Sequence, residues 1–288
     1  MKQRALLPGL VVTVALVLGV ASSALVNAQT ARLLRGRVIL DGAAARPAPS
    51  SPAPAARATR DTLLAQLSDA EFWRMISEFS EPGGSYPYEN FVSNERRQQI
   101  VIPALKQATR AGEVYVGVAP EQNFMYAAAL QAKMAFVLDI RRQNMLEHLL
   151  YKALFELSPN RADFVSRLFS RKRPAGLDEK TTANALFAAY ENVKNDADFY
   201  LQNIEAIKGV FKRHGFTLDS EDLLKIEYVY QVFYRGGPAI NYEFASASPA
   251  TNSLSYTQIM TLSDAAGRNW SYLATEASFH TPVRLKVQ

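Results

Sequence analysis

The sequence predicts an α/β domain, a parallel sheet packed by many helices and incomplete at its carboxyl end, behind an export-type segment and a linker. Three observations carry this. Two short β-branched runs, 114–118 and 134–140, are each followed by a helical pattern. Most of the remaining chain beyond residue 61 repeats its apolar residues at helical spacing. Residues 1–60 differ in composition from all that follows.

At 288 residues and 48% apolar content, the chain is long enough to fill a core. The net charge of +5 belongs to its beginning. Residues 1–60 hold Lys2, seven arginines and Asp41. Removing them from 32 basic and 27 acidic residues leaves 24 and 26 in 61–288. The folded part is slightly acidic, so no nucleic-acid partner is expected.

Lys2 and Arg4 precede an almost unbroken apolar stretch over 5–21, and small residues follow. This is the layout of a secretory signal, with Val26 and Ala28 placed for cleavage before Gln29. An uncleaved inner-membrane anchor is the competing reading, because ~17–20 apolar residues just cross a bilayer core. Arg32, Arg35 and Arg37 would hold their side of such an anchor in the cytoplasm. Localisation is therefore exported or anchored, with membrane contact only through 5–21. Segment 29–60, rich in Ala and Pro, lacks the apolar surface to offset ordering entropy and is expected to be a disordered linker.

The domain is assigned to 61–288. Ser68 and Glu71 form a capping-box pair before a helix whose apolar residues are Phe72, Met75, Ile76 and Phe79. The EPGGSYPYENF loop breaks it, with Tyr86, Tyr88 and Phe91 available as a lid or as packing. A helix strained by Pro103 is expected from Ser93 or Asn94 to Gly112. Strand 114–118, a small-residue helix near 126–130, strand 134–140 and a helix over 144–157 then make a right-handed βαβ unit. Four more helices are expected at 160–171, 181–192, 196–214 and 220–234, and another begins at SYTQIM. Arg171-Lys172-Arg173 is expected to be a solvated helix end. The closing TPVRLKV looks like a strand entering the sheet, and with so few strands the sequence is expected to be truncated.

Ligands of a βαβ unit gather where its strands end, against the N-terminus of the first helix. Here the first turn runs Gly117-Val-Ala-Pro-Glu-Gln-Asn123, and Asp139 closes the second strand ~20 residues later, where a carboxylate accepts from ribose hydroxyls. Ala119 and Glu121 occupy the second and third glycine places of a dinucleotide turn. Glu121 would repel a pyrophosphate, so a neutral or cationic cofactor fits better, its amino or sulfonium centre pairing with that carboxylate. The alternative is that Asp139 and Arg141 only pair or cap the next helix.

The runs VYVGVAPEQNF, AFVLDIRRQNMLEHLLYKALFELS and RADFVSRLFSRKRP resemble an uncharacterised bacterial family with a GVGPEQN turn and an IDIRR strand end. Its domain is similar to class I S-adenosylmethionine-dependent methyltransferases, and the resemblance covers about residues 65–288. It implies a Rossmann-like sheet, with Gly117, Glu121, Gln122 and Asn123 near an S-adenosylmethionine pocket, Asp139 at the ribose and Arg141 beside it. Ala119 stands where the family has glycine, and Tyr115 where a methyltransferase has a carboxylate.

Other chemistry finds no motif. His148, His214 and His280 are scattered, no cysteine is present, and no HExxH, GxSxG or Walker loop occurs. A carboxylate pair such as Glu121 with Asp139 could do acid–base work if burial separated their pKa values. Two functions stay open: a methyltransferase-like enzyme, and an exported domain that keeps the fold and binds a small ligand or a protein.

Overall fold

A computed structural model describes residues 67–80, 84, 90–244 and 253–287. The export-type segment, the linker, and Tyr86 and Tyr88 of the aromatic loop lie outside these residues. The described chain is a mixed α/β structure made mostly of helices, with a two-stranded parallel sheet. No helix among the described residues is long and apolar enough to cross a membrane.

Helix α1 (Asp69–Phe79) starts with the expected capping box: Ser68 Oγ accepts from the Glu71 amide, and the Glu71 carboxylate accepts from the Ser68 amide. It buries no residue fully, and its Phe72 and Trp73 rest on Phe216. Helix α2 (Ile102–Ala108) corrects the expected long helix. Residues 96–100 form turns, and Pro103 stands in the first turn of α2, where its missing N–H costs nothing.

Strand β1 (Val114–Val118), helix α3 (Gln122–Leu130), strand β2 (Met134–Leu138) and helix α4 (Arg142–Glu156) form the βαβ unit. The strands pair parallel in register from Val114 opposite Met134 to Val118 opposite Leu138. Gln131 ends α3 in the left-handed region, at φ 53°. One sheet face stays open: Val116 is 61% exposed, Leu138 57% and Ile140 62%. Parallel sheets are ordinarily covered on both faces, so this apolar strip is unusual.

The core is helical and centres on α4. Leu146, Leu149, Leu150, Tyr151, Ala153, Leu154 and Phe155 are all buried, more of its circumference than the leucine stripe implied. Asn144, Glu147 and Lys152 of the same helix are buried as well. Around it pack α5 (Arg161–Leu168), α6 (Ala183–Tyr190), α7 (Ala197–Arg213), α8 (Ser220–Gly236), α9 (Tyr256–Thr261) and α10 (Glu276–Val287). Asn160, Thr182, Asp196, Asp219 and Ser255 cap five of these with side-chain oxygens.

Helix α10 replaces the expected final strand. The Thr275 hydroxyl accepts from the Ser278 amide at 3.1 Å, and Phe279 is buried against Phe155 and Phe164. Arg161, only 1% exposed, fastens this end of the chain. Its guanidinium donates to Glu276 Oε1 at 3.1 Å and to the carbonyls of Leu273, Ala274, Glu179 and Thr181. Of the basic cluster, Lys172 and Arg173 are exposed, as expected, and pair with Asp196 and Asp163, whereas Arg171 donates to the carbonyls of Tyr190 and Val193.

Candidate functional site

The parallel register brings the ends of β1 and β2 together, and the Ala119 amide donates to the Leu138 carbonyl at 3.4 Å. The turn and Asp139 are therefore neighbours, as their spacing implied.

Asn123 organises the turn from within. Its Nδ2 faces the carbonyls of Val118, Ala119 and Pro120 at 3.0, 2.8 and 2.7 Å, and its Oδ1 accepts from the Tyr115 hydroxyl at 2.8 Å. Gly117 is required by this arrangement. A Cβ there would lie 2.0 Å from Asn123 Oδ1 and 2.5 Å from the Tyr115 oxygen. The glycine thus makes room for a side chain of the protein itself. Gln122 Nε2 adds a bond to the Val118 carbonyl at 3.1 Å. Tyr115, in place of a carboxylate, is a structural partner of Asn123, and burial raises its phenol well above the ordinary range.

Glu121 turns inward, correcting the expectation that its carboxylate meets a ligand. It is fully buried and accepts from the Ser93 amide at 3.2 and 3.1 Å. Burial pushes its pKa up from 4.5 to about 7, against the pull of the Ser93 amide and its own. It can neither repel a pyrophosphate nor pair with a sulfonium outside the turn. It serves instead as the anion at the N-terminus of α3, and the proposed pairing of Glu121 with Asp139 for acid–base work has no open carboxylate on the Glu121 side.

Asp139 lies just past β2. Its Oδ1 accepts from the Arg141 amide at 2.8 Å and lies 3.8 Å from Arg141 Nε, both side chains being 10% exposed. Arg141 is also the N-cap residue of α4. The pairing read as the alternative is thus present, and Asp139 Oδ2 has no hydrogen bond among the described residues. Gly84 closes the far side, its amide donating to the Ile140 carbonyl at 2.8 Å.

Three groups here are not among the residues expected from the sequence. His148 Nε2 lies 3.1 Å from the Ala119 carbonyl, which can only accept, so this nitrogen holds the proton. Ser93 meets Glu121 from 28 positions away. Arg142 makes a two-pronged pair with the buried Asp222, at 2.7 and 2.6 Å, which holds that carboxyl below its usual range. Only His148 had a clue, its place two turns into the helix that follows β2. No cluster of metal-ligating side chains occurs among the described residues.

Residues 90–230 match the model of a domain of unknown function, DUF7790. The matched stretch contains the whole βαβ unit and all six predicted site residues. None of the curated proteins matches the chain.

Proposed function

We propose that the βαβ unit belongs to a Rossmann-like domain that binds the ribose of a nucleoside, S-adenosylmethionine included, where β1 and β2 end. The observation that carries this reading is Asp139: one carboxylate oxygen is fixed by the Arg141 amide and the other accepts nothing among the described residues. A carboxylate so oriented matches a pair of ribose hydroxyls. The inward Glu121 supports the reading, because it removes a negative charge from the ligand's side of the turn. The reading stops at binding. Asn123 Nδ2 is spent on the carbonyls of the turn, and His148 Nε2 is tied to the Ala119 carbonyl.

Titration calorimetry on the full-length protein with S-adenosylmethionine, repeated with Asp139→Ala, tests it. A micromolar affinity lost in the variant is expected. Millimolar or absent affinity, the same in both proteins, ends the cofactor reading.

The open sheet face supports a second reading, a non-catalytic exported domain that binds a protein. Val116, Val118, Leu138 and Ile140 form an exposed apolar strip of the kind that marks interaction surfaces. Replacing Val116 and Leu138 by lysine would abolish such an association without moving the Asp139 site.

A further inference from the structure

Beside the N-terminus of α4 lies a groove of about 520 Å³, within the range of small-molecule sites. Asp139 is not among its lining residues. One wall is apolar and flat: Trp73 and Ile76 of α1 face Met145 of α4. The indole of Trp73 is held by stacking on Phe216, at 5.1 Å and 24°. The rest of the lining is polar and consists of Ser77, Ser80, Thr217 and Arg142.

The hydrogen-bonding inventory of this groove is one-sided. Arg142 spends Nε and Nη2 on Asp222, which leaves both Nη1 hydrogens. The Trp73 indole N–H and the hydroxyls of Ser80 and Thr217 make no bond among the described residues, while Ser77 Oγ donates to the Trp73 carbonyl. Among the described residues, no carboxylate lines the groove. Helix α4 also has no acidic residue in its first turn and no side-chain cap, and at its N-terminus the Asp139 carboxylate accepts from the Arg141 amide. Asp219 and Glu221 act on Arg142 from beyond the lining, together with its partner Asp222. They moderate its charge and leave its free donors in place.

We propose that this groove is a binding site for a small amphiphilic oxyanion, a flat apolar body carrying one carboxylate or phosphate group. The body lies against Trp73, Ile76 and Met145. The oxyanion takes Arg142 Nη1, with the hydroxyls of Ser80 and Thr217 as further donors. The site does not depend on the ribose-binding reading of Asp139.

The two tryptophans give a direct readout. Trp73 lines the groove, whereas the Trp270 indole donates to Asp264 at 2.7 Å and lies under the Arg268 guanidinium. In full-length protein with ¹⁵N-labelled indoles, the resonance lost in Trp73→Phe identifies Trp73. Titration with 1-naphthyl phosphate or 1-naphthoate is expected to move that resonance saturably and leave Trp270 in place. Uncharged 1-naphthol should bind at least about 10-fold more weakly, because a hydrogen bond to a charged group outweighs a neutral one. Arg142→Gln should weaken the anion at least about 10-fold, the same factor, by removing the guanidinium. If that variant loses its fold with the Asp222 pair, Thr217→Val at an exposed position should still weaken it by about 3-fold. No shift at millimolar anion, equal shifts of both indoles, or equal affinity for naphthol would overturn the proposal.

Discussion

Replacing Glu121 by glutamine removes a carboxyl group that the fold holds out of water. Its pKa of about 7, against an ordinary 4.5, means that the folded state binds this proton more tightly than the unfolded state. Between those values the folded protein carries more protons, so stability falls as pH rises from about 4.5 and levels off above about 7. The displacement corresponds to about 3 kcal/mol, at ~1.4 kcal/mol for each pH unit. Glu121→Gln keeps a carbonyl oxygen for the Ser93 amide and loses the titration. Urea denaturation from pH 4.5 to 8 should show a loss of about 3 kcal/mol in the parent and a nearly level profile in the variant. An unchanged slope in Glu121→Gln would refute the placement of this carboxyl in the interior.

Further outcomes follow from the same geometry. Ala119 has φ 71°, a left-handed conformation that costs a non-glycine residue roughly 1–2 kcal/mol. Ala119→Gly should therefore raise the denaturation midpoint, by roughly 0.5–1 kcal/mol after glycine's added unfolded-state entropy; a lower midpoint would contradict the assignment. Gly117→Ala drives a Cβ into Asn123 and should cost about 3 kcal/mol or more in urea, and an unaffected protein would deny that packing. Arg161→Met leaves Glu276 and four carbonyls without their donor and should cost about 3–5 kcal/mol, read by thermal melting. A change below about 1 kcal/mol would show that Arg161 does not fasten the carboxyl end of the domain.

The βαβ unit was legible because its signals are local. The run at Val114–Val118, the turn after it and the leucines of α4 each sit within one element. The adjacency of the turn and Asp139 followed from the handedness of such units. Side-chain direction within the turn was hidden, because Glu121 is drawn inward by Ser93, and nothing near Glu121 announces that partner. The final helix was misread for a related reason. Pro282, Val283 and Val287 suggest a strand by composition, yet Pro282 lies inside α10, which is held by contacts of Phe279 with Phe155 and Phe164. Nothing in RADFVSRL announces the burial of Arg161, which depends on carbonyls more than 100 positions away. Long-range contacts, polar at Glu121 and Arg161 and aromatic at Phe279, overrode local pattern.

The central claim is that the free oxygen of Asp139 recognises ribose, and the hydroxyls themselves are the variable that isolates it. Calorimetric titration of the full-length protein with adenosine and with 2′,3′-dideoxyadenosine compares ligands that differ only there. Adenosine should bind at least about 10-fold more tightly, the value of one or two hydrogen bonds to a carboxylate. Equal affinities, or none for either, would contradict a ribose site at the end of β2.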